Sequence, residues 1–210
     1  LYLPHLRRGV YRHLLELERG LDRIEPRPSC TRADPDYDGV DDLFFTSGAL
    51  QAVVRLDGSA ALRELSSYPL AQNFGDTLRR HREHYHQKAL AGMSQAAQAQ
   101  GEGIASAHDR VAFKHAIGPE DIAPDTQPRD MFRDFWTRAD GDVVPIDHYG
   151  LASPEVSGAQ ASFSATVGDA KITKSVSVDG SRCRVRYALR CEKAGELRTG
   201  VTHLEYEAYD

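Results

Sequence analysis

The chain has 210 residues, of which 40% are apolar and 27% charged, and its formal net charge is -5. That length supports one large hydrophobic core or two small ones. A mildly acidic balance gives no general attraction to nucleic acid or to an anionic membrane, and no apolar run approaches bilayer length, so neither partner is expected.

The first stretch, LYLPHLRRG, has no initiating Met, so a piece of a longer chain is expected. Residues 3–21 carry Leu3, Leu6, Val10, Leu14, Leu17 and Leu21 at three- and four-residue intervals, the stripe of an amphipathic helix. Pro4 suits its first turn, and the two prolines of EPRPSC end it. Nothing within the segment itself can cover the stripe.

The next feature is DPDYDGVDDLFF, residues 34–45, with five carboxylates in nine residues. Asp34, Asp36 and Asp38 fall at positions one, three and five of a calcium-type loop. Gly39 is sixth, Val40 seventh and Asp42 ninth. The twelfth position is Phe45 rather than Glu, so the loop is not an EF-hand. It is similar to the D-x-D-x-D-G-x-x-D loops that hold calcium between strands in some all-β proteins. Calcium on Asp34, Asp36, Asp38, Val40 and Asp42 is one expectation; an acidic turn facing water is the other.

From Asp42 the period becomes two. DLFF, LQAVVRL and AALRELSSY read as short strands divided by TSG and DGS. Residues 76–91 suggest a polar surface helix. In it His81, His84 and His86 offer too few ligands for zinc and read as a solvated face. Residues 92–107, rich in Ala, Gln, Gly and Ser, read as a connection, and RVAFKHAI as a further strand. Phe132, Phe135 and Trp136 then form an aromatic group with Tyr149. Phe132, Trp136 and Tyr149 are candidate sugar-stacking rings, although aromatic residues in a domain this size are more often core.

The clearest pattern lies in residues 161–191. Ala161, Phe163, Ala165 and Val167 share one face, as do Ile172, Val176 and Val178. Cys183, Val185, Tyr187, Leu189 and Cys191 share another, with Arg182, Arg184, Arg186 and Arg190 opposite. GD and DG are the turns, so this is an antiparallel meander with one buried and one wet face. The three cysteines, Cys30, Cys183 and Cys191, have no metal spacing and read as reduced thiols in a cytoplasmic protein. The chain has no G-x-S-x-G, no Gly-rich phosphate loop, no H-E-x-x-H and no C-x-x-C.

Several stretches together resemble glycoside hydrolase family 57, the α-amylase and 4-α-glucanotransferase type. LYLPHLRRGVYRHLLELE is similar to the segment that closes that family's helical region. Residues 34–86 are similar to the start of its C-terminal domain, including an N-x-x-DTL-x-R-x-E-x-YH stretch at Asn73, Asp76, Thr77, Leu78, Arg80, Glu83, Tyr85 and His86. AHDRVAFKH (107–115) and PRDMFRDFW (128–136) look like further family segments.

The resemblance implies a terminal helix over residues 1–24. It also implies a C-terminal antiparallel β-sandwich of galactose-mutarotase-like or jelly-roll type over 25–210. The family's barrel, which supplies both catalytic carboxylates, has no counterpart here, so no catalytic residue is carried over and the chain alone is expected to be inactive. The implied role is support of a catalytic barrel elsewhere in the same protein, with α-glucan reached through that enzyme. An independent carbohydrate-binding module and a purely structural calcium-stabilised domain are the alternatives, and self-association through the helix stripe is a further expectation.

Overall fold

A computed structural model describes residues 4–75, 81–82, 118–119, 122–138, 140–151, 158–191 and 196–200. Apart from His81 and Arg82, which are exposed and carry no assigned helix, the expected helix at 76–91 lies outside them with His84 and His86, as do RVAFKHAI and the connection at 92–107.

The chain opens with helix α1 (Pro4–Asp22). Pro4 occupies the first turn, where its missing N–H costs nothing. At the other end Ile24 and Glu25 both donate their N–H to Leu21 O at 2.9 Å, and Pro26 prevents continuation. Five strands follow in chain order in one antiparallel sheet: β1 (Cys30–Ala33), β2 (Asp42–Thr46), β3 (Leu50–Arg55), β4 (Leu62–Ser67) and β5 (Gln72–Asn73). β3 is buried along nearly its whole length, with Gln51 the one polar side chain between Leu50 and Val54, and the β3–β4 register shifts at Val53/Val54.

Two more sheets complete the described fold. β6 (Arg133–Thr137) lies between β7 (Val143–Pro145) and β12 (Glu196–Gly200). The remaining strands form the order β11-β10-β9-β8, from β8 (Gly150–Leu151), β9 (Gln160–Val167), β10 (Ala170–Asp179) and β11 (Arg182–Arg190). β9, β10 and β11 pair without interruption through two-residue turns at Gly168 and Gly180, so period-two phase is kept along the meander. Its inner residues Phe163, Ile172 and Val176 share one core with Leu43, Phe45, Val54, Leu62 and Trp136.

The predicted strands at DLFF, LQAVVRL, AALRELSSY and the 161–191 meander are present, and so is the helix. β1, β5, β7, β8 and β12 are not legible in the sequence. Each is short, and β1 lies directly behind a proline-rich stretch that masks its pattern. The face expected from Cys183 to Cys191 is only partly covered. Cys183, Val185 and Tyr187 pack against the core, whereas Leu189 is 44% exposed and Cys191 lies beyond the strand. All three cysteines are free.

The compact units also differ from the expected division at residue 24. α1 belongs with the sheets in a unit of Leu1–Thr77 and Arg129–Asp210, and Leu78–Pro128 is a unit of its own.

Candidate functional site

The Asp-rich loop bridges β1 and β2, which close on it through the pair Ala33↔Asp42. Asp34 folds the loop inward. Its Oδ1 accepts the Asp38 N–H at 3.2 Å and its Oδ2 the Gly39 N–H at 2.9 Å, while Asp38 Oδ1 accepts the Val40 N–H at 2.9 Å. Gly39 has φ +86°, a left-handed turn that glycine makes at little cost. Carboxylate oxygens of Asp34, Asp36 and Asp38 come within 4.8 Å of one another. Asp42, the ninth loop residue, stands outside that group, 1% exposed at the start of β2. Of Val40, the structure fixes the N–H on Asp38.

Sequence reasoning missed the positive partners of this loop. Arg55, paired with Asp42 across β2 and β3, contacts Asp38 and lies 3.9 Å from Asp36 and 3.7 Å from Asp42. Arg63 on β4 reaches Asp36 at 3.1 Å and Asp42 at 3.3 Å, and Arg32 pairs with Asp41. The Val40 N–H and the Arg55 guanidinium hold Asp38 below the usual carboxylate range, whereas burial pushes Asp42 up against the pull of Arg63 and Arg55. Six carboxylates, the five of the loop and Asp57, thus face three guanidinia, and the cluster keeps a net negative charge. The loop is a salt cluster with a residual acidic charge, not a bare cage of oxygens.

A second polar group lies in the core. Asp134 on β6 and Lys174 on β10 are both 0% exposed, with Nζ 3.0 Å from Asp134 Oδ2. Lys174 also donates to Phe132 O at 2.5 Å. Tyr149 donates to Asp134 Oδ2 at 3.0 Å, and Tyr187 to Asp134 Oδ1 at 2.8 Å. Both tyrosine rings stand within 5.7 Å of Nζ, close enough for a cation–π contribution. Burial lowers the Lys174 pKa, opposed by the adjacent Asp134, and burial together with that carboxylate raises both phenols.

Every polar atom named in this group has a partner, and neither charge is exposed. The cluster therefore ties the β6 sheet to the β9–β11 sheet and offers no atom to a substrate. The signal for it is present in the sequence: Lys174 is in phase with Ile172 and Val176, and Asp134 with Trp136.

The aromatic candidates sit in the same interior. Trp136 and Tyr149 are each 6% exposed, and Phe132 packs on the same core with its carbonyl on Lys174. The rings build the interior and form no exposed stacking platform.

The third feature is the outer side of α1. The helix buries Leu15 (3% exposed) and is tied down by polar contacts: Tyr11 on Glu64, Tyr68 on Glu18, and Arg27 on Asp22, Gln51 and Tyr68. Leu6, Val10, Leu14, Leu17 and Leu21 remain 44–59% exposed. Beside them a groove of about 510 Å³ separates α1 from β2–β4, floored by Phe44 and Val53.

The described residues form a mainly antiparallel β unit with one leading helix. The model of the family "Alpha-amylase/4-alpha-glucanotransferase, C-terminal" matches residues 34–206, and the chain belongs to that family. It is 35% identical over 151 residues to a 4-alpha-glucanotransferase of Thermococcus kodakarensis, covering 72% of this chain and 21% of that protein. It is 31% identical over 160 residues to an alpha-amylase of Pyrococcus abyssi, covering 72% of this chain and 22% of that one. The crystal structure of 4-alpha-glucanotransferase from Thermococcus litoralis superposes with a TM-score of 0.63 at 20% identity, over 91% of this chain and 28% of that one. The chain therefore spans about a fifth of the length of the curated relatives it matches.

Proposed function

We propose that this domain supports the catalytic part of a larger enzyme acting on α-1,4-glucan, and that the outer stripe of α1 is where that part of the same protein docks. The observation carrying this reading is the exposure of Leu6, Val10, Leu14, Leu17 and Leu21. A contiguous apolar face on a helix that buries little else in its own unit marks an interface.

Two measurements test the reading. The purified chain gives no turnover of maltooligosaccharides above a protein-free control; turnover would overturn it. Leu14→Glu with Leu17→Glu leaves the melting of the isolated chain within about 0.5 kcal/mol, as surface changes do. In the full-length protein the same pair lowers stability by about 2 kcal/mol or more, because buried leucines become buried charges. Equal effects in both contexts would remove the docking role.

The second reading adds calcium to the loop between β1 and β2. Oxygens within 4.8 Å of one another suit a single ion at about 2.4 Å from each. Asp34, Asp36 and Asp38 would hold it, in competition with Arg55 and Arg63 for the same carboxylates. Calcium at a hundred times its Kd would add about 2.7 kcal/mol by binding the native state alone. Melting curves in EDTA and in millimolar calcium check this, and superimposable curves leave the arginines as the loop's only counter-charges.

A further inference from the structure

The β9–β11 sheet has two unlike faces. Its inner face joins the core. On the outer face the register aligns Ser162 with Ser175 and Arg186, Ser164 with Thr173, and Ser177 with Arg184, while Lys171 stands beside Arg190. Ser162 Oγ and Ser175 Oγ are 2.8 Å apart, so the middle of this face is a row of hydroxyls. Its border, β11, is a row of arginines.

Arg182, Arg184, Arg186 and Arg190 are all exposed, and none meets a carboxylate among the described residues. Elsewhere Arg12, Arg27, Arg32, Arg55, Arg63, Arg138 and Arg198 each pair with Asp or Glu, whereas Arg8, Arg19 and Arg23 on and just after α1 meet none among the described residues. A molecule with net charge -5 thus sets four exposed guanidinia on one strand, and among the described residues Arg182 alone has a carboxylate as its register partner, Asp179 across the hairpin turn. β11 is also an edge. Among the described residues it pairs with β10 alone, and its other side presents main-chain groups over nine residues.

We infer that β11 receives an extended acidic segment of a protein partner, which adds as a further strand and sets its carboxylates on the arginine row. Alternate residues of a strand are about 6.8 Å apart, so side chains at every second position of an added strand repeat in step with Arg182, Arg184 and Arg186. The planar guanidinium matches a carboxylate in a two-point contact, which a row of lysines would not. The exposed face has no aromatic ring for stacked bases, since Tyr187 points to the core, and this sets single-stranded nucleic acid aside. Charged residues on an edge also deter self-pairing, and an acidic strand is the kind that such an edge still admits. The arginine row lies on a different sheet from the one that carries α1, so this inference stands apart from the docking role proposed above.

The test uses the whole chain and a fluorescent decapeptide of alternating Glu and Thr, followed by anisotropy at low salt. Binding is expected, with a loss of at least tenfold for Arg184→Glu with Arg186→Glu and an unchanged melting temperature for that variant. Arg184→Lys with Arg186→Lys keeps the charge and is expected to lose several-fold. Methylating alternate backbone nitrogens of the peptide abolishes binding if it adds as a strand. Three results would overturn the inference: no binding by the wild-type chain, equal binding of the N-methylated peptide, or equally tight binding of polyphosphate or of a peptide with five Glu followed by five Thr. The last marks a general polyanion patch.

Discussion

Lys174→Met is expected to lower the unfolding free energy by about 3–5 kcal/mol, a large share of the roughly 5–15 kcal/mol that holds a typical domain together. The loss comes less from the ion pair itself than from what the substitution leaves behind. Asp134 stays at 0% exposure with its charge, and Tyr149 and Tyr187 are then its only described side-chain partners. Phe132 O loses its donor as well.

Removing both charges is expected to do less harm than removing one. With Asp134→Leu added to Lys174→Met, no charge of the pair remains, and the residual cost is about 1–3 kcal/mol for the Tyr149 hydroxyl that has lost its acceptor. Tyr187 keeps Thr199 at 3.1 Å. Urea unfolding of the two single variants and the double variant decides the matter. A Lys174→Met chain within about 1 kcal/mol of wild type, or a double variant less stable than Lys174→Met alone, would contradict this account.

Gly58→Ala carries the second large expected effect. Gly58 turns β3 into β4 at φ +93°, and its carbonyl accepts the Tyr149 N–H at 2.7 Å. A Cβ there would sit 2.1 Å from Asp147 O and 2.9 Å from Asp147 C. Both are backbone atoms, so no side-chain rotation relieves the overlap. Conformational strain of about 1–3 kcal/mol and a similar overpacking cost give a loss of about 2–6 kcal/mol. Gly141→Ala is the control: φ is +88°, but nothing lies within 4 Å of the added carbon, so only the strain applies. Thermal melts of the two variants separate close approach from backbone preference, and equal losses would refute the role given to Asp147. Because Tyr149 reaches Asp134, Gly58→Ala and Lys174→Met should also combine non-additively.

Much of the architecture is legible where one period runs uninterrupted. The stripe of α1 and the alternation of β9–β11 each repeat over several turns or pairs, and the family segments indicate the class of domain. The short strands β7, β8 and β12 hold two to five residues each, too few for a period to declare itself. The candidate sites split in the same way. Asp34, Asp36 and Asp38 are visible because they alternate within one loop. Arg55 and Arg63 are not, since only strand pairing brings them there. Trp136 and Tyr149 show their ring chemistry but not their burial, which depends on which face of β6 meets the core. Lys174 is concealed because lysines are almost always exposed, although its phase along β10 points inward.

The order in which strands find one another gives the Asp134–Lys174 pair a history. β9, β10 and β11 close by two-residue turns, so that meander needs little loop closure and can form early. β6 pairs locally with β7 on one edge, while its other edge takes Glu196–Gly200 from beyond the meander. Lys174 is therefore expected to stay hydrated on the meander until β6 packs against it and brings Asp134. In kinetic terms Lys174→Met should speed unfolding and leave the refolding rate almost unchanged, which places the lock on the native side of the folding barrier.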